Sequence, residues 1–229
     1  MKSEMALAPA GFGLLFDIDG TLAETDHLHL RAFNDVMARF GVKLDEPDYK
    51  RIVMGRMNAA IFADVLPAEI IAVHEAVADE KEAAFRALAR GALEPSAGLL
   101  DLLAWADERG VPCACVTNAN RLNAELMLSG LALAGRFKAV VIADDLAHGK
   151  PHPLPYETGA ARIGVAPQRC VAFEDSRSGV ISAVAAGAAT VGMMTGLDEA
   201  TLLGAGARLA VRDFRDSRVM ALIEAVRAA

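Results

Sequence analysis

The sequence predicts an α/β protein: a mostly parallel sheet covered by helices on both faces, interrupted once by a separate, all-helical module. Three observations carry this expectation. Short apolar runs alternate with segments of helical periodicity, the pattern of strand–helix–strand units. The stretch from about Thr25 to Ala92 contains almost nothing but helix. Apolar runs remote from one another in the chain stop abruptly at polar residues, as at the ligand-binding edge of an open sheet.

Gly13 to Phe16 is continuous apolar sequence and reads as a strand buried on both sides. Asp17, Ile18, Asp19, Gly20 and Thr21 follow. If strand geometry persists, Asp17 and Asp19 fall on one side with Ile18 in the core, and Gly20 permits a turn. Leu28, Ala32, Phe33, Val36, Met37 and Phe40 recur at helical spacing over Asp26 to Phe40, which Gly41 ends. Helices are expected from Pro47 to Val53, Met57 to Val65 and Ala68 to Leu88, the last with Ile70, Ile71, Val73, Val77, Phe85 and Leu88.

Beyond the link Leu93–Gly98, a helix from Ala97 to Glu108 leads to a second strand, Val111 to Val116, ended by Thr117 and Asn118. A helix from Leu122 to Ser129 and a third strand within Phe137–Ala143 follow. Asp144 to Pro155 is polar and punctuated by proline, which marks a loop. Tyr156 to Ile163 is helical, and Cys170 to Phe173 is a fourth strand ended by Glu174, Asp175 and Ser176. A helix from Val180 to Ala186, a strand from Thr190 to Met193, an edge strand within Ala207–Val211 and a helix from Arg218 to Val226 complete the pattern.

The 229 residues are enough for one α/β domain with an insertion, and 54% apolar residues argue against disorder. A formal net charge of −7 argues against nucleic acid or an anionic membrane as a partner. No apolar stretch approaches the roughly 20 residues that span a bilayer, and the N-terminus lacks the form of a signal peptide. The expectation is a soluble cytoplasmic protein, a monomer or weak homodimer. Cys113 and Cys115 alternate with Ala114 and read as small hydrophobes of a buried strand; with Cys170 they form no disulfide or zinc pattern.

The polar strand ends carry the chemistry. Asp17, Asp19, Glu174 and Asp175 gathered at one sheet edge repel one another unless a cation sits among them. Oxygen-only ligands suit Mg²⁺, which also takes substrate phosphate, and are a poor match for structural zinc. Lys150 can neutralise a phosphate and an aspartate together. Thr117 can donate a hydrogen bond to phosphoryl oxygens, and N–H groups at a helix start can hold them.

These segments resemble the haloacid dehalogenase superfamily, in the branch with a small helical cap inserted after the first motif, near the phosphoglycolate phosphatases and β-phosphoglucomutases. Its phosphatases share D-x-D-G-T, matched at Asp17–Thr21. The second motif is a Ser or Thr ending a strand, matched by Thr117. The third is the Lys of G-K-P, matched by Lys150, and the fourth is E-D-S-x-x-G, matched at Glu174–Gly179. All four occur in order. The resemblance implies a Rossmann-like core over residues 1–24 and 93–229 and a helical cap over 25–92. It implies Asp17 as the nucleophile that forms an aspartyl-phosphate and Asp19 as the general acid/base. It also implies Mg²⁺ bound by the Asp17 carboxylate, the Asp19 main-chain carbonyl and Asp175, with Glu174 in or just behind that shell. Thr117, the backbone around Asn118, and Lys150 would hold the phosphoryl group.

The implied activity is hydrolysis of a small phosphorylated metabolite, such as a sugar phosphate or phosphoglycolate. Two alternatives use the same fold: a phosphosugar mutase, and a catalytically silent binding or regulatory protein. His29 lies ten residues after Asp19, where the mutase branch carries a histidine. Asn58, however, stands where that branch has a cap arginine, Arg56 directly follows Gly55, and Asn120 replaces a lysine. His29, Arg56, Asn58 and Asn120 are the expected contacts to substrate. Asp17 and Asp19 argue against the silent reading, because an inactive relative would be expected to lose them.

Overall fold

The computed structural model describes residues 11–66 and 73–229. The start of the helix expected at Ala68, with Ile70 and Ile71, lies outside the described residues, as does the N-terminal decapeptide behind the reading of no signal peptide. Six strands form one sheet in the order β3-β2-β1-β4-β5-β6. They are β1 (Gly13–Phe16), β2 (Cys113–Thr117), β3 (Ala139–Ile142), β4 (Cys170–Glu174), β5 (Ala189–Met193) and β6 (Leu209–Val211). Every pairing is parallel, with Phe16 opposite both Cys115 and Phe173.

Burial on both faces explains why these strands read as unbroken apolar runs. On one face Leu14, Phe16, Cys113, Cys115, Val171 and Phe173 pack under α5 (Leu99–Glu108), α6 (Arg121–Gly130) and α10 (Ser217–Ala228). On the other, Leu15, Ala114, Val116 and Ala172 pack under α7 (Leu154–Ile163) and α8 (Arg177–Ala185). Phe16 lies at the centre, stacked on Phe173 at 4.9 Å between centroids and edge-on to Phe137 at 5.8 Å. Strand order reverses between β1 and β4. The crevice beyond their carboxyl ends is therefore where this architecture places a ligand.

Between β1 and β2 the chain leaves the core to build the helical cap: α1 (Asp26–Met37), α2 (Glu46–Ile52), α3 (Asn58–Val65) and α4 (His74–Ala89). The cap has its own apolar centre of Phe33, Met37, Tyr49, Val53, Ile61, Phe62 and Val77. Leu28 and Ala32 of α1 and Phe85 and Ala89 of α4 instead join the core cluster, seating the cap over the sheet edge.

The differences from the expected elements have local causes. The first cap helix stays α-helical only to Met37; Ala38–Phe40 tightens into a 3₁₀ turn before Gly41. The segment expected as loop through Pro155 is already helix from Leu154, because proline in a first turn forfeits no helical hydrogen bond. The short α9 (Glu199–Gly204), capped by Asp198, buries only Leu202 and so offers little periodicity to read.

Phe16→Ala removes a fully buried ring flanked by Phe137, Phe173 and Phe214. It should destabilise the protein by about 3–5 kcal/mol in denaturant unfolding; a loss below about 1 kcal/mol would contradict this packing.

Candidate active site

The carboxyl ends of β1, β2 and β4 deliver their polar residues to one place. β1 stops at Phe16, and Asp17 donates its N–H to the Phe173 carbonyl, which holds it beside β4. The Lys150 ammonium reaches Asp17 Oδ1 at 2.5 Å and also contacts Glu174 Oε1. The second Glu174 oxygen accepts from the Ser176 hydroxyl at 3.1 Å, and the Tyr156 hydroxyl donates to Oε1 at 2.7 Å. Glu174 is therefore saturated by protein donors and orients Lys150. Asp175 lies across from it, against the backbone of Gly20: a Cβ on Gly20 would come within 2.1 Å of the Asp175 carboxylate.

Ligand oxygens of Asp17, Glu174 and Asp175 all lie within 4.8 Å of one another, and all three residues are buried. Burial pushes the Asp17 carboxyl well above its ordinary value; Lys150 opposes this, while Glu174 adds to it. Burial, then Asp17, Asp26 and Glu174, push Asp175 up as well. For Lys150 burial works against the charge, yet Asp17 and Glu174 override it and raise the ammonium above its usual range. One lysine thus leaves the cluster with excess negative charge. An all-oxygen donor set with net negative charge fits a hard divalent cation.

Asp19 has different surroundings. The strand itself ends at Phe16 and the chain turns at Gly20 with φ +74°, yet Ile18 is buried in the core and Asp17 and Asp19 both face the cavity, as the alternation predicts. Asp19 Oδ1 instead accepts from the Thr25 hydroxyl at 2.9 Å and meets His29 Nε2 at 3.1 Å, both at the start of the cap. Burial pushes its carboxyl up, but these hydrogen bonds outweigh burial and hold it below the usual range.

Behind His29 runs a buried polar chain that was not legible in the sequence. His29 Nδ1 meets Lys81 Nζ at 3.1 Å, and Lys81 donates to Glu82 Oε1 at 2.8 Å. Asn58 donates to Glu82 Oε1 at 2.7 Å, and Asn123 of α6 donates to Oε2 at 2.6 Å. Arg86 closes the chain by donating to Asn123 at 2.9 Å. The run Asp79–Glu82 reads as a solvated helix face. Its one clue is that Lys81 shares the four-residue spacing of Val77, Phe85 and Ala89, all buried.

The remaining expected contacts divide. Thr117 is buried at the end of β2, where its hydroxyl accepts from Ala119 N at 2.9 Å. The Asn118 amide brackets the Lys150 backbone, accepting from its N–H at 3.0 Å and donating to its carbonyl at 3.3 Å, and also reaches the Gly55 carbonyl. Ser178 donates to that same carbonyl at 2.6 Å, so two core residues grip one cap loop. Arg56 borders the cavity, but its guanidinium is bound to Ile52 O, Ala60 O and Asp64. Asn120 caps α6 through Asn123 N at 2.9 Å. Thr117, Asn118, Asn120, Arg56 and Lys150 line a cavity of about 230 Å³ between cap and core, together with Asp17, Asp19, His29, Asn58 and Asp175.

A family model described as haloacid dehalogenase-like hydrolase matches residues 14–193. Protein CbbY of Cereibacter sphaeroides is 35% identical over 187 residues, spanning 76% of this chain and 80% of that protein. The fructose-1-phosphate phosphatase YqaB of Escherichia coli is 35% identical over 182 residues, spanning 76% of this chain and 92% of that protein. Among solved structures, a mutant CbbY from Rhodobacter sphaeroides in complex with xylulose-(1,5)bisphosphate superposes with a TM-score of 0.78. That match has 28% identity and covers 89% of this chain and 95% of the other.

Two predictions follow from this packing. A Cβ at Gly179 would lie 1.9 Å from the Glu174 carboxyl carbon, whereas one at Gly204 would meet nothing within 4 Å. Gly179→Ala should therefore displace Glu174 and lower thermal stability and activity, with Gly204→Ala neutral or stabilising by up to about 1 kcal/mol; equal effects would refute the contact. The second concerns Glu82: burial pushes its carboxyl up, but Lys81 and the other donors override this and lower it to about 2, from an ordinary 4.5. A depressed folded-state value stabilises above pH 4.5 and is lost as pH falls towards 2. The difference in unfolding free energy between wild type and Glu82→Gln should shrink by up to about 3 kcal/mol over that window. A pH-independent difference would contradict the pairing.

Proposed function

Because this chain belongs to the haloacid dehalogenase-like hydrolases, we propose that it is a Mg²⁺-dependent phosphomonoester hydrolase acting on a small phosphorylated metabolite through an aspartyl-phosphate. The observation that supports this reading is a difference in surroundings between two aspartates. Asp17 lies in a net-negative cluster with Glu174 and Asp175, while Asp19, lining the same cavity, is bonded instead to Thr25 and His29.

In this reading a carboxylate oxygen of Asp17 attacks phosphorus, and the bond to the leaving alcohol breaks. Asp19 delivers the proton that the alkoxide takes up; a phosphate dianion beside Asp19 favours its protonated form. Asp19, now ionised, then accepts a proton from water as the water attacks phosphorus, which frees Asp17 and inorganic phosphate. Lys150 and Thr117 hold the non-bridging oxygens, and Asn118 fixes Lys150 through its backbone. Asp17 and Asp175, with the Asp19 main-chain carbonyl, would hold Mg²⁺, which when bound supplies the missing positive charge against the phosphate. Glu174 supports Lys150 from behind that set. The cap shields the site from bulk solvent while leaving room for the attacking water, and is held down by Ser178 and Asn118 on the Gly55 carbonyl.

A sugar-phosphate-like substrate draws support from the similar phosphatase and from the bisphosphate bound to the similar CbbY. The contact of His29 with Asp19 is the one observation that favours a phosphosugar mutase. Against it, Asn58 is committed to Glu82, Asn120 to the cap of α6, and the Arg56 guanidinium to Asp64 and two carbonyls. None of them supplies a cation to hold a second phosphate.

With Mg²⁺ the protein should release phosphate from a generic aryl phosphate and lose that activity to a chelator. Asp17→Asn should be inactive, and Asp19→Asn slowed about 10²–10⁴-fold. Full turnover by Asp17→Asn or without divalent cation would overturn the mechanism. Interconversion of glucose 1-phosphate and 6-phosphate, primed with bisphosphate and outpacing phosphate release, would establish the mutase instead.

A further inference from the structure

Asn123, a residue of the core, holds two opposite charges of the cap at once. Its side-chain NH₂ donates to Glu82 Oε2 at 2.6 Å, and its side-chain oxygen accepts from Arg86 at 2.9 Å. Asn123 and Glu82 are both buried. Asn123 lies in the first turn of α6, while Glu82 and Arg86 lie one turn apart on α4.

The pairing on α4 is the reverse of what a helix favours. Adjacent residues of a helix do not face each other, whereas Glu followed four residues later by a cation is a favourable ion pair. Glu82 nevertheless bonds its neighbour Lys81 at 2.8 Å, and Arg86 bonds Asn123. Asn58 adds a bond to Glu82 Oε1, on the Lys81 side. Asn123 thus stands between two natural partners and satisfies each. Without it, Glu82 has Arg86 to turn to, and Lys81 loses its anchor.

Lys81 bears on the reaction through the atom that it reaches. An ammonium carries only donors, so His29 Nδ1, 3.1 Å from Lys81 Nζ, is an acceptor. The His29 proton is thereby assigned to Nε2, which lies 3.1 Å from Asp19 Oδ1 and donates to it. Stacking on Phe85, at 3.6 Å between centroids, fixes the plane of the ring.

We propose that Asn123 is a positioning residue for Asp19: by keeping Glu82 apart from Arg86 it holds Glu82 on Lys81, Lys81 on His29 Nδ1, and the His29 proton against Asp19. This rests on Asp19 as the acid/base of the reading above. It makes the alignment of that acid depend on α4 of the cap lying against α6 of the core.

The test compares kcat/KM, which reports phosphoryl transfer to Asp17, for an alkyl and an aryl phosphate, both with Mg²⁺. An alkoxide needs the proton from Asp19 in order to leave; an aryl oxide leaves readily without it. Asn123→Ala should lower kcat/KM about tenfold for the alkyl ester and less than about twofold for the aryl ester, a part of what an acid/base contributes. Asn123→Ser, too short to reach both partners, replaces it should the first variant fail to fold. Adding Arg86→Met removes the competing cation and should recover at least about twofold of the loss. Nitrogen NMR shifts of the His29 ring read the same chain without turnover. They should show a protonated Nε2 and a bare Nδ1 in the wild type, and a mixture of tautomers in Asn123→Ala. Equal losses for both esters, or an unchanged His29 tautomer, would make Asn123 a packing residue only and overturn the inference. No recovery on adding Arg86→Met would overturn the competition for Glu82. Failure of the wild type to hydrolyse any ester would overturn the hydrolytic reading, and this inference with it.

Discussion

The buried contact of Lys150 with Asp17 and Glu174 is the constraint on which the site depends. It joins residues 133 positions apart in the chain and lies almost wholly out of water. Two carboxylates cannot stay ionised there without a compensating charge, and a lone ammonium would be equally unstable. A buried ion pair of this kind adds little net stability compared with apolar packing. What it supplies is placement: it holds the Asp17 oxygens at the mouth of the β1–β4 crevice, the switch point of the sheet. Much of the surrounding packing supports that contact. Tyr156 and Ser176 saturate Glu174, Gly179 leaves room for it, and Asn118 clamps the Lys150 backbone.

The cap extends the same electrostatic arrangement. Asp19, only two residues from Asp17, belongs to the cap's hydrogen bonds because the turn at Gly20 redirects the chain into α1. Through His29, Lys81 and Glu82, its environment is tied to Asn123 in the core. Cap position and the state of Asp19 are thereby coupled. The cavity between cap and core is lined by the paired Lys81 and Glu82 and by the side-chain amides of Asn58, Asn120 and Asn123.

The sheet was legible in the sequence because every strand buried on both faces is an unbroken apolar run, and the strand ends stood out as abrupt changes to Asp, Thr or Glu. The cap was legible as a long stretch of helical spacing. Short, weakly buried elements such as α9 left no pattern. The side chains that converge on the strand ends were readable from order and type, but their partners were not. Lys81 and Glu82 lie in a run of charges that normally faces solvent, and only the folded chain turns that run inwards. The side-chain commitments of Arg56, Asn58 and Asn120 likewise depend on neighbours that sequence position alone does not specify. No helix among the described residues is long and apolar enough to cross a membrane.

The central claim is that Asp17 becomes covalently phosphorylated, and acid quenching during turnover tests it most directly. Rapid denaturation of the enzyme mixed with an ester and Mg²⁺, followed by peptide mass analysis, should find a phosphoryl group on the peptide containing Asp17. It should be absent from Asp17→Asn. Sustained phosphate release with no phosphoryl group on that peptide at any quench time, or with one on another residue, would contradict the account.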